Sequence, residues 1–511
     1  MRYTNIMKRV FEKKNISSLV LFASIVFTII IFSLLVYSVI RSGYSYAIDT
    51  DEFFHAQYAY LLGVGQRPYV DFYASVYTPL FAAVLLPIIK IFGTTMSTLF
   101  SIRAFMIVLF LLRVVITGTI VVKLFGKKVL ALFLLLFFLD PFTVFVAMQI
   151  RPDNLMMLFF SSGVLYLLYA EEKRKPYLFF LAGLTFGLSL LTLIKILPGI
   201  LCIFAVFAIS CVVRKHKIPL VYLLEGFMLP LLLFFLVSIL QGSFGALVQQ
   251  MIIDPAKTFS AFFYQIPLGN FYWYNNIYIF GAPGKPLSWI FAWLLLFLAM
   301  AGAHALSVAL LQTKKFEFRD FIKLSLLLSL FVYQISFFFV NNLYIQYYLP
   351  VSYLYALLGA IAIHSVLSSS GTKKYVHRGL VLMLFFLALI FTYKSILLNI
   401  SRSTMYDSEK MRAYEKRLVT IKQSETVFPG FVFRPLAFPM LYGYFMTPSE
   451  AALPLLYRYS PIEEYLEKEK TKFVILNDYT LKLLPVPAQE YIKTHYKNTN
   501  PSDEELLIRI Q

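Results

Sequence analysis

Charge is scarce in this chain, and negative charge scarcer still. Only 14% of the 511 residues are charged, with 27 Asp and Glu set against 46 Lys and Arg. A soluble domain carries about 25% charged residues, so a chain wetted over its whole length is excluded. Cysteine is nearly absent. Cys202 and Cys211 lie in one apolar run, which leaves no disulfide framework. The six histidines are scattered, and none joins the cysteines in a zinc-type spacing. His304 falls inside an apolar segment, where a hydrogen-bonded packing role is expected. No glycine-rich phosphate loop or internal repeat interrupts the chain.

What the chain has instead is apolar surface. Hydrophobic residues make up 59% and aromatics 18%, and the mean hydropathy is +0.73. No soluble fold buries that much, so a polytopic membrane protein is expected. The net charge of +19 gathers in short tracts between apolar segments, as the positive-inside rule requires. With no nucleic-acid module in view, membrane lipids rather than nucleic acid are the expected partner of that charge.

Arg2, Lys8, Arg9, Lys13 and Lys14 place the N-terminus in the cytoplasm. The first span covers 17–40, too long for a signal peptide and without a cleavage site. The segment 78–92 is apolar but short and holds Pro87. If it crosses, every later basic tract faces outward; if it lies at the interface or re-enters, all of them fall inside. The charge rule selects the second. Spans then follow at 101–122, 129–148, 155–170, 177–193, 196–213, 219–240, 287–311, 321–340, 349–367 and 379–398. With 17–40 they make about eleven, and residues 400–511 lie outside. There the composition turns polar. Helices are expected over 408–423, 461–470 and 488–496, and strands over 472–476 and 504–510, forming a small α/β extracytoplasmic domain.

Acids are concentrated just after the first span. Asp49, Asp51, Glu52 and Asp71 lie in one outward stretch, and carboxylates beside a bilayer are costly to desolvate. Asp51 and Glu52 open a segment (Phe53, Phe54, Ala56, Tyr58, Ala59, Leu61) that reads as an amphipathic helix lying along the membrane surface. Other outward turns carry Asp140, Arg151 and Asp153, then Lys195 with almost no loop around it, then an aromatic loop over 241–286. The last is Asn341 to Pro350, with Tyr344, Gln346, Tyr347 and Tyr348. Arg103 lies near the outer end of its span; Arg113 lies deeper. Asp140, followed by Pro141, reads equally well as a helix cap.

Acids and cations converging at one membrane face suit transfer of a sugar from a polyprenyl-phosphate donor. A carboxylate takes the proton of the acceptor hydroxyl, a gain of about 10²–10⁴-fold. Arg or Lys, or a carboxylate-held divalent metal, stabilises the departing phosphate.

The order of these residues resembles the GT-C membrane glycosyltransferases, the group that includes the protein O-mannosyltransferases and the aminoarabinose transferases. The likeness rests on several stretches in sequence. They are Asp51-Glu52 after the first span, Pro68-Tyr69-x-Asp71 with Thr78-Pro79-Leu80, and Arg151-Pro152-Asp153. Gly183 and Gly187 ahead of Lys195, Tyr347-Tyr348-Leu349-Pro350, and Lys472 to Leu476 with Tyr491-Ile492 complete the series. Thr78-Pro79-Leu80 stands where the family has Pro-Pro-Leu, and the lysine that often precedes it is missing. The resemblance implies a GT-C-like all-α bundle over 1–399, with its catalytic first outer loop at 41–100. It implies an inverting transferase in the plasma or inner membrane, acting on a polyprenyl-phosphate-linked sugar and a glycan, lipid or protein acceptor. The catalytic acids would be Asp51, Glu52 and Asp153, and the substrate and phosphate groups Arg151, Lys195, Arg103 and Tyr347. A metal, Mg or Mn, would fall to Asp51 and Asp153. The competing readings are a transporter or lipid flippase, which calls for inverted repeats and charges near the midplane, and a non-enzymatic envelope scaffold.

Overall fold

The computed structural model describes 50–254 with short gaps at 73, 75–76, 141–142, 144–145 and 216–217, then 287–337 and 345–368. Scattered positions in 30–44 and parts of 416–429 and 461–510 complete it. Asp49, the expected spans at 17–40 (beyond a few positions) and 379–398, most of the aromatic loop, Asn341 and Tyr344, and most of the 408–423 helix lie outside the described residues.

Eleven α-helices of 13 residues or more are described ahead of the C-terminal region. They are α1 (Thr50–Gly63), α2 (Pro79–Phe92), α3 (Met96–Phe125), α4 (Lys127–Leu139), α5 (Asp153–Lys173) and α6 (Pro176–Thr192). After them come α7 (Leu197–Val213), α8 (Ile218–Leu240), α9 (Leu287–Leu311), α10 (Phe318–Phe337) and α11 (Leu349–Ser368). Among the described residues, seven helices are long and apolar enough to cross a membrane: α3, α5, α7 with the turn before it, α8, α9, α10 and α11. The protein is therefore a multi-pass membrane protein, and these helices match the expected segments within a few residues. α2 has 14 residues, about 21 Å at 1.5 Å per residue, well short of a core about 30 Å thick.

Two expectations are corrected. The span drawn over 129–148 stops as a helix at Leu139. Asp140 sits at ψ 115, where a residue before proline is driven, and its carboxylate accepts the Thr143 N–H at 2.8 Å. The second correction concerns α1, which is no surface helix. Residues 52–59 are all buried, in one cluster with Phe81 and Leu85 of α2, Leu99 and Ile102 of α3, and Ile150. Its sequence has apolar residues on every face because neighbours cover every face.

The C-terminal region holds a four-stranded sheet in the order β1-β2-β4-β3. Its strands are β1 (Val427–Pro429), β2 (Phe473–Ile475), β3 (Tyr496–Asn498) and β4 (Leu506–Arg509), with helices α12 (Ile462–Lys468) and α13 (Val486–His495). β1 runs parallel to β2, with Val427 opposite Phe473, and β2 runs antiparallel to β4, with Phe473 opposite Ile508. Side chains alternate between two cores. Val427, Phe473, Ile475 and Leu506 join the cluster around α1, while Phe428, Val474 and Leu476 join Leu466 and Ile492 of the outer helices. A strand buried on both faces reads as a continuous apolar run, and Phe473-Val474-Ile475 is one.

Helix packing in the bundle leans on close backbone approach where lipid supplies no hydrophobic drive between helices. Gly183 and Gly226 bring α6 and α8 together, and a Cβ on Gly226 would land on the Phe180 carbonyl oxygen. Gly226→Val is expected to separate these helices and lower the thermal midpoint of the purified protein by several degrees. Gly245→Ala, whose added Cβ meets nothing within 4 Å, should leave it unchanged. Equal midpoints for the two variants would refute the packing role.

Candidate active site

Four chain breaks at one end of the bundle build the site. The first turn of α1 carries Asp51 and Glu52, where the helix dipole favours carboxylates. α5 opens at Asp153, directly after Arg151-Pro152. Between α6 and α7 the chain turns extended at Leu193 (φ −162, ψ 124), and Lys195 lies in the single 3-10 turn that follows. Pro198 then sits at the start of α7, where a missing N–H costs nothing. The Tyr333 hydroxyl donates to the carbonyls of Lys195 and Ile196 at 3.3 and 3.2 Å, satisfying groups that the break leaves without helical partners. Tyr347 lies in the turn before α11.

The innermost contact is an ion pair. Glu52 is 0% exposed and Arg103 1%. Arg103 Nε donates to Glu52 Oε2 at 2.8 Å and its Nη2 to Oε1. The Ile150 N–H also donates to Oε2, at 3.0 Å. One carboxylate thus joins α1, α3 and the 146–152 segment. Toward the surface, Arg151 Nη1 meets Asp51 Oδ2 at 2.7 Å, and its Nε donates to Gln149 Oε1 at 2.8 Å. Lys195 Nζ pairs with Asp153 and stands 5.8 Å from the centre of the Tyr347 ring. Asp51 keeps 31% of its side chain exposed, whereas Asp153 keeps 3%.

One neighbour was not singled out in the sequence. Tyr77 faces Asp51, Arg151, Tyr347 and Asp153 electrostatically, and burial, then the negative charge of Asp51, raises its phenol pKa. It therefore stays a neutral donor across physiological pH. Its backbone is held from several sides. Tyr69 donates its hydroxyl to the Tyr77 carbonyl at 2.8 Å, and Thr78 Oγ1 donates to the Leu191 carbonyl. Buried Gln250 spans the preceding loop, accepting from the Ala74 N–H at 3.0 Å and donating to the Tyr69 carbonyl at 2.9 Å. The Tyr77 ring sits edge-on to His55, 4.8 Å between centres. The only signal in the sequence is its place directly before Thr78, the cap of α2.

All seven expected site residues converge, but not in equal positions. Glu52 and Arg103 occupy each other below the surface, and Asp51, Arg151, Asp153, Lys195 and Tyr347 gather near Tyr77. Asp71 does not join them. It closes an exposed turn on Arg67, 3.0 Å away, and that hydrogen-bonded pairing holds its carboxyl below the usual range. Asp140 is a buried cap beneath the bundle surface. Deeper still, Arg113 donates to Asn154 at 3.1 Å, and Asn154 donates to the Val146 and Ala147 carbonyls at 3.0 Å each, bracing the segment that carries Arg151. Among the described residues, no group of three or more His, Cys, Asp or Glu is placed to hold a metal. Asp51 and Asp153 are each turned to a cation instead.

The fold has counterparts among solved membrane-protein structures. Residues along 95% of the chain superpose on 97% of ArnT from Cupriavidus metallidurans bound to undecaprenyl phosphate, with a TM-score of 0.59 and 12% identity. The apo state of the same enzyme gives 0.60 at 11% identity. Archaeal oligosaccharyltransferase AglB from Archaeoglobus fulgidus, in complex with an inhibitory peptide and a dolichol-phosphate, gives 0.50 at 14% identity over 92% of this chain and 73% of its own. No family model and no curated protein matches the sequence. The chain has the fold of the GT-C membrane glycosyltransferases. Within that class its architecture follows ArnT over nearly the full length of both chains.

Arg103→Met should be the most damaging single change here. Removing one partner of a buried pair leaves an uncompensated charge, at a cost of about 3–5 kcal/mol. Glu52→Gln/Arg103→Met should be the milder variant, since no charge remains and the Ile150 N–H keeps an acceptor. Thermal unfolding in detergent compares them directly; a double variant no more stable than Arg103→Met contradicts the pairing.

Proposed function

We propose that the protein is an inverting glycosyltransferase that moves a sugar from a polyprenyl-phosphate donor to an acceptor hydroxyl at the outer face of the plasma or inner membrane. The acceptor is a glycan, a lipid or a protein. The observation that carries the reading is the pairing of Asp51 with Arg151 and of Asp153 with Lys195 around Tyr77, on a fold whose ArnT representative was solved with undecaprenyl phosphate. The N-terminus lies in the cytoplasm and the C-terminal sheet outside, as the distribution of basic tracts requires.

The ion pairs define a charge exchange. The donor phosphate carries more negative charge than a carboxylate and suits the Arg fork, so its arrival draws Arg151 from Asp51 toward the leaving group. Asp51, the most exposed of the three acids, is then left with its carboxylate free to take the acceptor proton. The acceptor oxygen bonds to the anomeric carbon as the bond to the phosphate oxygen breaks, inverting that carbon in one displacement. The electron pair leaves with polyprenyl phosphate, whose charge Arg151 and Lys195 hold. Asp153 keeps Lys195 oriented, and Glu52 with Arg103 positions the N-terminus of α1 rather than touching substrate. Tyr77 donates a neutral hydrogen bond to the same phosphate. Arg151, Lys195 and Tyr77 account for the phosphate charge without a metal. Asp51 and Asp153 remain the carboxylates to which one would bind, and chelation tests this directly.

The test uses membranes carrying the wild type and variants, a panel of labelled polyprenyl-phosphate sugars, and release of free polyprenyl phosphate. Asp51→Asn should lower turnover at least about 100-fold and Lys195→Ala should lower it comparably, each compared per amount of folded protein, since Lys195→Ala also leaves buried Asp153 without its partner. Full turnover by folded Asp51→Asn would overturn the mechanism. Tyr77→Phe should weaken use of the donor about tenfold, the size of one hydrogen bond to a charged group, without changing the pH profile between 6 and 9. Activity that survives EDTA supports phosphate stabilisation by side chains alone; activity restored only by Mg or Mn reassigns it.

A further inference from the structure

α5 runs for 21 residues from Asp153 at the site to Lys173, about 30 Å. At its far end lies a cavity of about 330 Å³. It opens where the end of α5, the start of α6, the end of α7 and the starts of α8 and α10 meet. The floor is apolar, with Phe179, Phe207 and Phe318, and the rim is charged, with Glu171, Arg174 and Arg214.

The two arginines are in different states. Arg214 is committed: its Nη2 meets Glu171 Oε1 at 2.5 Å, and its guanidinium lies 5.9 Å from the centre of the Phe318 ring. Arg174 has no ion pair among the described residues and is exposed at the end of α5. With Glu171 and Arg214 cancelling, the rim keeps one positive charge. α8 leaves the cavity as an apolar face. Leu224, Leu232 and Leu236 are 42%, 57% and 51% exposed, and only 22% of its apolar window is buried within the protein. A polar mouth, a spare cation and an adjoining open apolar strip share one chemistry: an anion attached to a hydrocarbon chain.

We propose that this cavity binds the headgroup of an anionic phospholipid, whose phosphate Arg174 takes while an acyl chain follows the exposed face of α8. Guanidinium and phosphate match as a fork to two oxygens, and basic pockets between helices at the membrane boundary are suited to acidic lipid. The site stands apart from the sugar-transfer reading, since it shares no residue with it.

Purified full-length protein is titrated with phosphatidylglycerol, phosphatidylcholine and inorganic phosphate, with binding read by native mass spectrometry and by the thermal midpoint. The informative variant is Arg174→Asn. Arg174 sits at φ 50, a left-handed conformation that asparagine accepts readily, and its side chain is exposed, so folding is retained. Phosphatidylglycerol should bind and raise the midpoint, phosphatidylcholine should do neither, and Arg174→Asn should weaken phosphatidylglycerol about fivefold or more. Equal binding of both lipids, or unchanged phosphatidylglycerol binding in Arg174→Asn, would overturn the proposal. Inorganic phosphate reproducing the full shift would also overturn it, because the occupant would then be a free anion rather than a lipid.

Discussion

The buried carboxylate of Glu52 is the constraint from which the rest of the site follows. It lies where water does not reach, so its charge must be met by donors in fixed positions, and three arrive from two other parts of the chain: two from Arg103 and one from the Ile150 amide. That requirement pins the start of α1 against α3 and against the segment leading into α5. Asp51 and Arg151 are each one residue from a pinned position, so their separation is set by the buried pair beneath them. A buried pair adds little to net stability compared with an apolar replacement. Its value here is register: two segments from distant parts of the sequence are locked in one orientation.

Above that pair the site is held by charges that satisfy each other until a substrate competes. Asp51 with Arg151 and Asp153 with Lys195 form two neutral couples beside an apolar bundle, which lowers the cost of keeping four ionised groups there. The couples are also reversible. In the proposed reaction, a phosphate that binds the cations would release carboxylate basicity at the moment the acceptor needs it, so donor binding and base activation would be one event. Gathering these groups at one end of the bundle also separates this arrangement from a transport pathway, whose charges would lie near the midplane.

Much of this was legible from residue order alone. Runs such as 197–213, and 218–240 with Glu225 as its one charge, are apolar stretches of the right length, and the acids near such runs mark a membrane face whatever their partners. Partners were harder. Glu52 and Arg103 are 51 residues apart, and no local pattern distinguishes a carboxylate buried in a pair from one that meets substrate. The burial of α1 was missed because its neighbours include strands from beyond residue 420, which no window on the first loop contains. Tyr77 escaped notice because a single tyrosine in a protein with 35 of them carries no signal until its surroundings are seen. Asp71, by contrast, looked like its acidic neighbours and proved to be an ordinary turn residue.

The sheet of the C-terminal region gives its alternate residues to two different cores, Phe473 and Ile475 to the bundle side and Val474 and Leu476 to the outer helices. A shift of one residue in β2 would exchange the two sets and spoil both cores at once, so the register is proofread from two sides. The same geometry means that the chain has no clean seam near residue 400. A C-terminal fragment cut there would carry an oily face made for α1, and the remainder would be left with the matching face open. The two parts share one hydrophobic cluster despite their contrast in composition.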